Sequence, residues 1–110
     1  MLNMDVHHPD IEDFIDVKND LTKVTSANIS VNVDNKFMEA VRDDKEYELY
    51  FKVESTGEEI LKKINAKELF NRLAVNNFNM AEPGILYQHR IDSWHLMSED
   101  DEFEFAGVNP

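Results

Sequence analysis

The stretch 27-ANISVNVDNKFMEAV-41 changes period in its middle, and that change decides the fold class. From Ala27 to Val33 the chain alternates, with Ile29, Val31 and Val33 on one side and Asn28, Ser30 and Asn32 on the other, which is the period of a strand. After Asp34 or Asn35, either of which suits a helix N-cap, Phe37, Met38 and Val41 recur at helical spacing. They predict a helix closed by the charged turn Arg42-Asp43-Asp44-Lys45. A strand that runs directly into a helix is the unit of α/β architecture. The polar row faces solvent in an open sheet, or the lumen where the sheet is part of a barrel.

Upstream, Leu2 to Met4 reads as a short strand and His8-Pro9-Asp10 as a helix start. Proline suits the first helical position, and Asp10 and Glu12 complement the positive end of the helix dipole. Ile11, Phe14, Ile15 and the stem of Lys18 make one face of this helix, which should end near Asn19. Downstream, Tyr47 to Val53 and Glu58 to Ile64 flank Glu54-Ser55-Thr56-Gly57 as a hairpin. Its residues Tyr47, Leu49, Phe51 and Val53 alternate, so one face should be covered. Asn65 followed by Glu68 resembles a capping box and opens a third helix, with Leu69, Phe70, Leu73, Ala74 and Phe78 on one side. Glu82-Pro83-Gly84 stops it, and Ile85 to Tyr87 is a short buried strand. The chain then runs irregularly through Asp92-Ser93-Trp94-His95, with Trp94 expected as a hydrophobic plug.

This order predicts one α/β segment over residues 1–110, with strands, crossover helices and an inserted β-hairpin that makes a surface excursion. The helices are long enough to connect parallel strands. Three parallel strands with two crossovers do not close a barrel, so open sheet edges are expected, and with them self-association.

With 110 residues and 42% hydrophobic content the chain can bury one modest core. Its apolar runs are too short to span a bilayer, and its start lacks the basic and apolar regions of a signal peptide, so a cytoplasmic location is expected. It contains no cysteine, which removes disulfides, thiolate metal sites and thiol nucleophiles from these residues. The formal net charge of -12 is spread along the chain, 6 basic and 13 acidic residues in positions 1–55 and 5 and 10 in positions 56–110. Such a field repels phosphate backbones and anionic membranes, which argues against nucleic-acid and membrane partners.

Side-chain chemistry read alone singles out little. His7 and His8 point to opposite faces of an extended segment, and neither is ligand-spaced to His89 or His95, so no metal site is expected. Ser98 to Glu102 lacks the glycine and alternating ligands of a calcium loop. Ser30 and Ser93 lack a nucleophile-elbow context, and no carboxylate pair stands out among 23 acidic residues.

Taken together and in order, several segments resemble the catalytic subunit of ribonucleotide reductase, most closely its adenosylcobalamin-dependent class. They are His8-Pro9-Asp10-Ile11 with Phe14-Ile15-Asp16, Asn28 to Val31 leading to Phe37 to Val41, the hairpin Tyr47 to Ile64, Glu82-Pro83-Gly84, and Gly107-Val108-Asn109-Pro110. The resemblance implies a ten-stranded α/β barrel of two half-barrels, in which Leu2–Met4, Ala27–Val33 and Ile85–Tyr87 are successive strands. It implies that Asn109 enters a central finger loop and binds the substrate ribose, and that the radical cysteine and a catalytic glutamate follow Pro110. By this reading the chain is an internal fragment without a catalytic residue of its own, inactive in isolation. The parent would use adenosylcobalamin, ribonucleotide substrates and deoxynucleotide effectors, and would convert ribonucleotides to deoxyribonucleotides by thiyl-radical chemistry. The alternative is an independent, small, acidic α/β protein-interaction domain.

Overall fold

The computed structural model describes residues 1–97 and 99–103. Strand β1 (Leu2–Asp5) leads through helix α1 (Ile11–Asp16) and a 3-10 turn (Val17–Asn19) to β2 (Ile29–Asn32). Helix α2 (Asn35–Arg42), the hairpin strands β3 (Glu46–Lys52) and β4 (Glu59–Asn65) and helix α3 (Ala66–Met80) then lead to β5 (Gly84–Leu86) and helix α4 (Gln88–Trp94). Strands β1, β2 and β5 form a parallel sheet in that order, while β3 and β4 pair antiparallel in a sheet of their own. The expected α/β segment with an unclosed sheet and an inserted hairpin is what forms.

Local chemistry accounts for the boundaries. Asp34, rather than Asn35, caps α2, its Oδ1 accepting the Phe37 amide at 2.7 Å. Asn65 caps α3 by accepting the Glu68 amide at 2.9 Å. Ile29, Val31 and Val33 are all buried, and Val31 and Val33 share one core cluster with Ile11, Ile15, Phe37, Leu49, Leu69 and Leu73.

Four expectations are corrected. On α3 the buried stripe is Ala66, Leu69, Leu73 and Asn76, leaving Phe70 half-buried, Ala74 exposed and Phe78 87% exposed. Asn76 takes the inward position because its Nδ2 donates to the Ile15 carbonyl at 3.0 Å and to Asp16 Oδ1 at 2.8 Å, so a polar group is buried with its partners. Residues Asp92 to Trp94, expected as irregular chain, close α4. None of its residues is buried, and Trp94 at its last turn is 84% exposed rather than a plug. The hairpin is more than an excursion. Leu49 is fully buried and Tyr47 packs edge-on against Phe37 with ring centroids 5.2 Å apart, although Phe51 is exposed.

The amino ends of the parallel strands are tied together. Lys18 Nζ donates to the carbonyls of Val24 and Ala27, both at 2.7 Å, and lies 2.9 Å from Glu82 Oε2, so one ammonium joins the loop before β2 to the turn before β5. Within the sheet Ser30 pairs in register with Gly84, where a Cβ would stand 3.0 Å from Ser30 Oγ, so glycine lets the strands approach without displacing that hydroxyl. On the flank, Arg72 of α3 binds Asp16 and Glu12 of α1, and Lys62 of β4 also reaches Glu12. These pairs hold both carboxyls below their ordinary range, Glu12 chiefly through its hydrogen bond with Lys62 and Asp16 chiefly through its hydrogen bond with Arg72.

Candidate functional site

In open parallel sheets, ligands bind beyond the carboxyl ends of the strands, because the loops there diverge into helices on either side. Here Asp5 and Asn32 occupy one row of the register, and Leu86 is the partner of Asn32 in β5. Beyond this row lies a crevice of about 250 Å³ lined by Asp5, His7, Asn32, Asp34, Gln88, His89 and Asp92, with Val6 and Val33 beneath. Backbone hydrogen bonds carry the sheet pairing up to its floor, from the Val6 amide to the Asn32 carbonyl at 2.9 Å and from the Val33 amide to the Leu86 carbonyl at 2.8 Å.

The side chains divide into those already held and those left open. Asn32 Nδ2 donates to Asp5 Oδ1 at 2.9 Å, which orients the amide, and its Oδ1 is buried with no donor among the described residues. Asp34 is held at both oxygens, by the Phe37 amide and by the Tyr47 hydroxyl at 3.0 Å. Burial, with the negative charge of Asp34 beside it, pushes the Tyr47 phenol up from its ordinary value, so it remains a donor to that carboxylate. Gln88 Nε2 donates to Asp92 Oδ1 at 2.7 Å across one turn of α4. The lining includes three carboxylates and neither lysine nor arginine. Such a surface accepts hydrogen bonds from hydroxyl or amide groups and provides no cation for a phosphate.

Asn109, the substrate-binding residue implied by resemblance, lies outside the described residues. The polar row from Asn28 to Asn32 has three fates: Asn28, just before β2, is exposed, Ser30 is buried against Gly84, and Asn32 enters the crevice. Its alternation was legible, but the importance of its last member depends on which strand ends lie side by side. His7 and His8 do diverge, His7 toward the crevice and His8 against Phe51 with ring centroids 4.9 Å apart. His89 and Asp92 gain their place from α4, for which the sequence reading had no helix. No group of three potential ligands is arranged for a metal ion among the described residues, and no helix among them is long and apolar enough to cross a membrane.

The model of the ribonucleotide reductase barrel domain matches residues 1–106. The vitamin B12-dependent ribonucleotide reductase of Streptomyces coelicolor is 35% identical over 133 aligned residues, covering all of this chain and 13% of that protein. The enzyme of the same name from Streptomyces avermitilis is 34% identical with the same coverage. The ribonucleoside-diphosphate reductase NrdEB subunit alpha of Bacillus subtilis is 32% identical over 96% of this chain and 12% of its own length. The chain thus spans about an eighth of the length of these relatives. With the match running through β1, β2 and β5 and the crossovers between them, the chain belongs to the ribonucleotide reductase family, within its barrel domain.

Proposed function

We propose that these residues act as part of an adenosylcobalamin-dependent ribonucleoside reductase, in which they form three strands of the catalytic barrel and one wall of the substrate crevice. The family match over residues 1–106 carries this reading, and the vitamin B12-dependent relatives support the cobalamin class. The crevice offers carboxylates, amides and two imidazoles, and these residues contain no cysteine, so the cysteines that the cofactor serves belong to other parts of the enzyme. When bound, the cofactor supplies the radical chemistry.

The contribution of this segment is recognition of the sugar. Asn32 Oδ1, Asp5 and Asp92 present acceptors to ribose hydroxyls, and the acidic field leaves the nucleotide phosphates to basic groups elsewhere in the enzyme. The resemblance to the reductases adds Asn109 as a further substrate contact. Deoxynucleotide effectors act outside this segment, and the enzyme works in the cytoplasm. The separate chain self-associates through its open strand edges and exposed Phe78 and Trp94.

The test is ribonucleotide reduction by the full-length protein with adenosylcobalamin and a dithiol, which should be robust, while the 110-residue chain alone gives none. Absence of turnover in the full-length protein overturns the reading, as does turnover by the cysteine-free chain. Asn109→Ala in the full-length protein should depress reduction about a hundredfold and leave thermal stability nearly intact, as expected of a group that orients substrate. A matching loss of stability would mark Asn109 as structural.

A further inference from the structure

The hairpin meets the rest of the protein at the loops that follow two of the parallel strands. The Tyr50 amide donates to the His7 carbonyl at 2.6 Å, beyond β1. The Tyr47 hydroxyl reaches Asp34 Oδ2 at 3.0 Å, beyond β2, and its ring packs against Phe37 in the first turn of α2. His8 packs on Phe51 from the same turn. His7 and Asp34, the two residues gripped, both line the crevice. The Asp34 carboxylate spans the junction, with one oxygen capping α2 and the other held by the hairpin, so the carboxylate cannot rotate without giving up one of its two donors.

We infer that the β3–β4 hairpin is a buttress that sets the shape of the crevice, and that Tyr47 is a positioning residue acting on the substrate site through Asp34. The inference rests on the reductase reading for its substrate and on the contacts above for its geometry. Tyr47 lines a neighbouring cavity that shares His7 and Asp34 with the crevice, and is not itself one of the crevice-lining residues. Its hydroxyl, bonded to Asp34 Oδ2, acts on the crevice through that carboxylate and the turn from Val33 to Phe37. A network bond of this kind restricts an adjacent site by removing alternative rotamers and turn conformations, which lowers the ordering cost of binding.

The experiment compares wild type, Tyr47→Phe and Tyr50→Phe in the full-length protein. Tyr50→Phe is the control, because the hydrogen bond from Tyr50 to His7 comes from its backbone amide, which the substitution leaves in place. Tyr47→Phe keeps the ring contact with Phe37 and removes the hydroxyl alone. It should raise KM for the ribonucleotide about three- to tenfold, the scale of one lost hydrogen bond, with kcat within about twofold. Amide exchange over residues 34–40 should quicken by a similar factor, because the Phe37 amide is capped by the carboxylate that Tyr47 holds. Tyr50→Phe should change neither.

Unchanged exchange over 34–40 in Tyr47→Phe overturns the buttress. Faster exchange with an unchanged KM overturns the positioning role, as does a fall in global stability with no change in KM. Failure of the reductase reading is a separate result: wild type itself would not reduce ribonucleotides, while the exchange comparison would still decide whether the hairpin holds the turn.

Discussion

The two ends of one small parallel sheet are built on opposite principles. At the amino ends, Lys18 draws two carbonyls and Glu82 together, Asn77 Nδ2 donates to the Pro83 carbonyl at 3.0 Å, and Gly84 lets β5 close on Ser30. At the carboxyl ends, Asn32 keeps a buried oxygen without a donor among the described residues, and acidic side chains line an open crevice. The first arrangement compensates its buried acceptor by charge: Glu82 Oε2, without a hydrogen-bond donor among the described residues, lies 2.9 Å from the Lys18 ammonium. The second leaves acceptors uncovered, which costs stability unless a ligand supplies the missing hydrogen bonds. Stability and recognition are thus placed at opposite ends of the same three strands.

The largest expected effect breaks the closed end. Lys18→Met should destabilise the protein by about 2–3 kcal/mol in chemical unfolding, because it strands a poorly exposed Glu82 carboxylate and frees two loop carbonyls together. A change within ~0.5 kcal/mol would mean that the clamp is replaceable by water and the contrast between the ends is false.

Next comes the open end, where the sign of the contrast reverses. Asn32→Ala in the full-length reductase should lower kcat/KM at least about tenfold, equivalent to about 1.4 kcal/mol of transition-state stabilisation, and alter stability by less than about 1 kcal/mol. Its one protein hydrogen bond goes to exposed Asp5, and the other half of its amide is unpaired among the described residues. A stability loss as large as that of Lys18→Met would instead make Asn32 part of the scaffold.

Acid should act between the two ends, on the flank. Glu12 and Asp16 have folded-state values below the ordinary 4.5 and 3.8 because Lys62 and Arg72 bind their charged forms. Their contribution is therefore fully present above those ordinary values and is lost as pH falls through them toward the lower folded values. Unfolding midpoints measured from pH 6 down to pH 2.5 should fall along this limb, and Arg72→Gln should flatten it. An acid limb unchanged by Arg72→Gln would show that other carboxylates carry the dependence.

The smallest effect sharpens the description of the closed end. Ala81 ends α3 with φ +59°, a left-handed conformation that glycine adopts without a Cβ penalty. Ala81→Gly should stabilise the protein by about 0.5–1 kcal/mol, read from the same unfolding curves. Destabilisation would mean that the Ala81 methyl packs usefully against the turn before β5.

Much of the architecture was legible because local rules and tertiary packing agree. The period change between Ala27–Val33 and Phe37–Val41, the Asn65 cap and the Glu82-Pro83-Gly84 stop all depend on residues within one turn of each other, and each lies where the sequence placed it. Where the pattern misled, a distant partner outweighed it. Asn76 displaced the Ala74 and Phe78 row of α3 because Ile15 and Asp16 stood opposite, some 60 residues away in the chain. Trp94 ended on the surface, at the last turn of a helix that buries none of its residues.

By itself, then, the sequence determined the element order as far as β5, the parallel connections and, through its resemblance to the reductases, the family. Those properties follow from hydrophobic period, caps and turn residues, which act over a few positions. Only the tertiary structure decided that Asp5, Asn32, Asp34 and Asp92 share one crevice, that Tyr47 reaches Asp34, and that Lys18 closes the opposite end. The register of parallel strands brings together residues from separate crossovers. No local pattern encodes which polar side chains that register will set side by side.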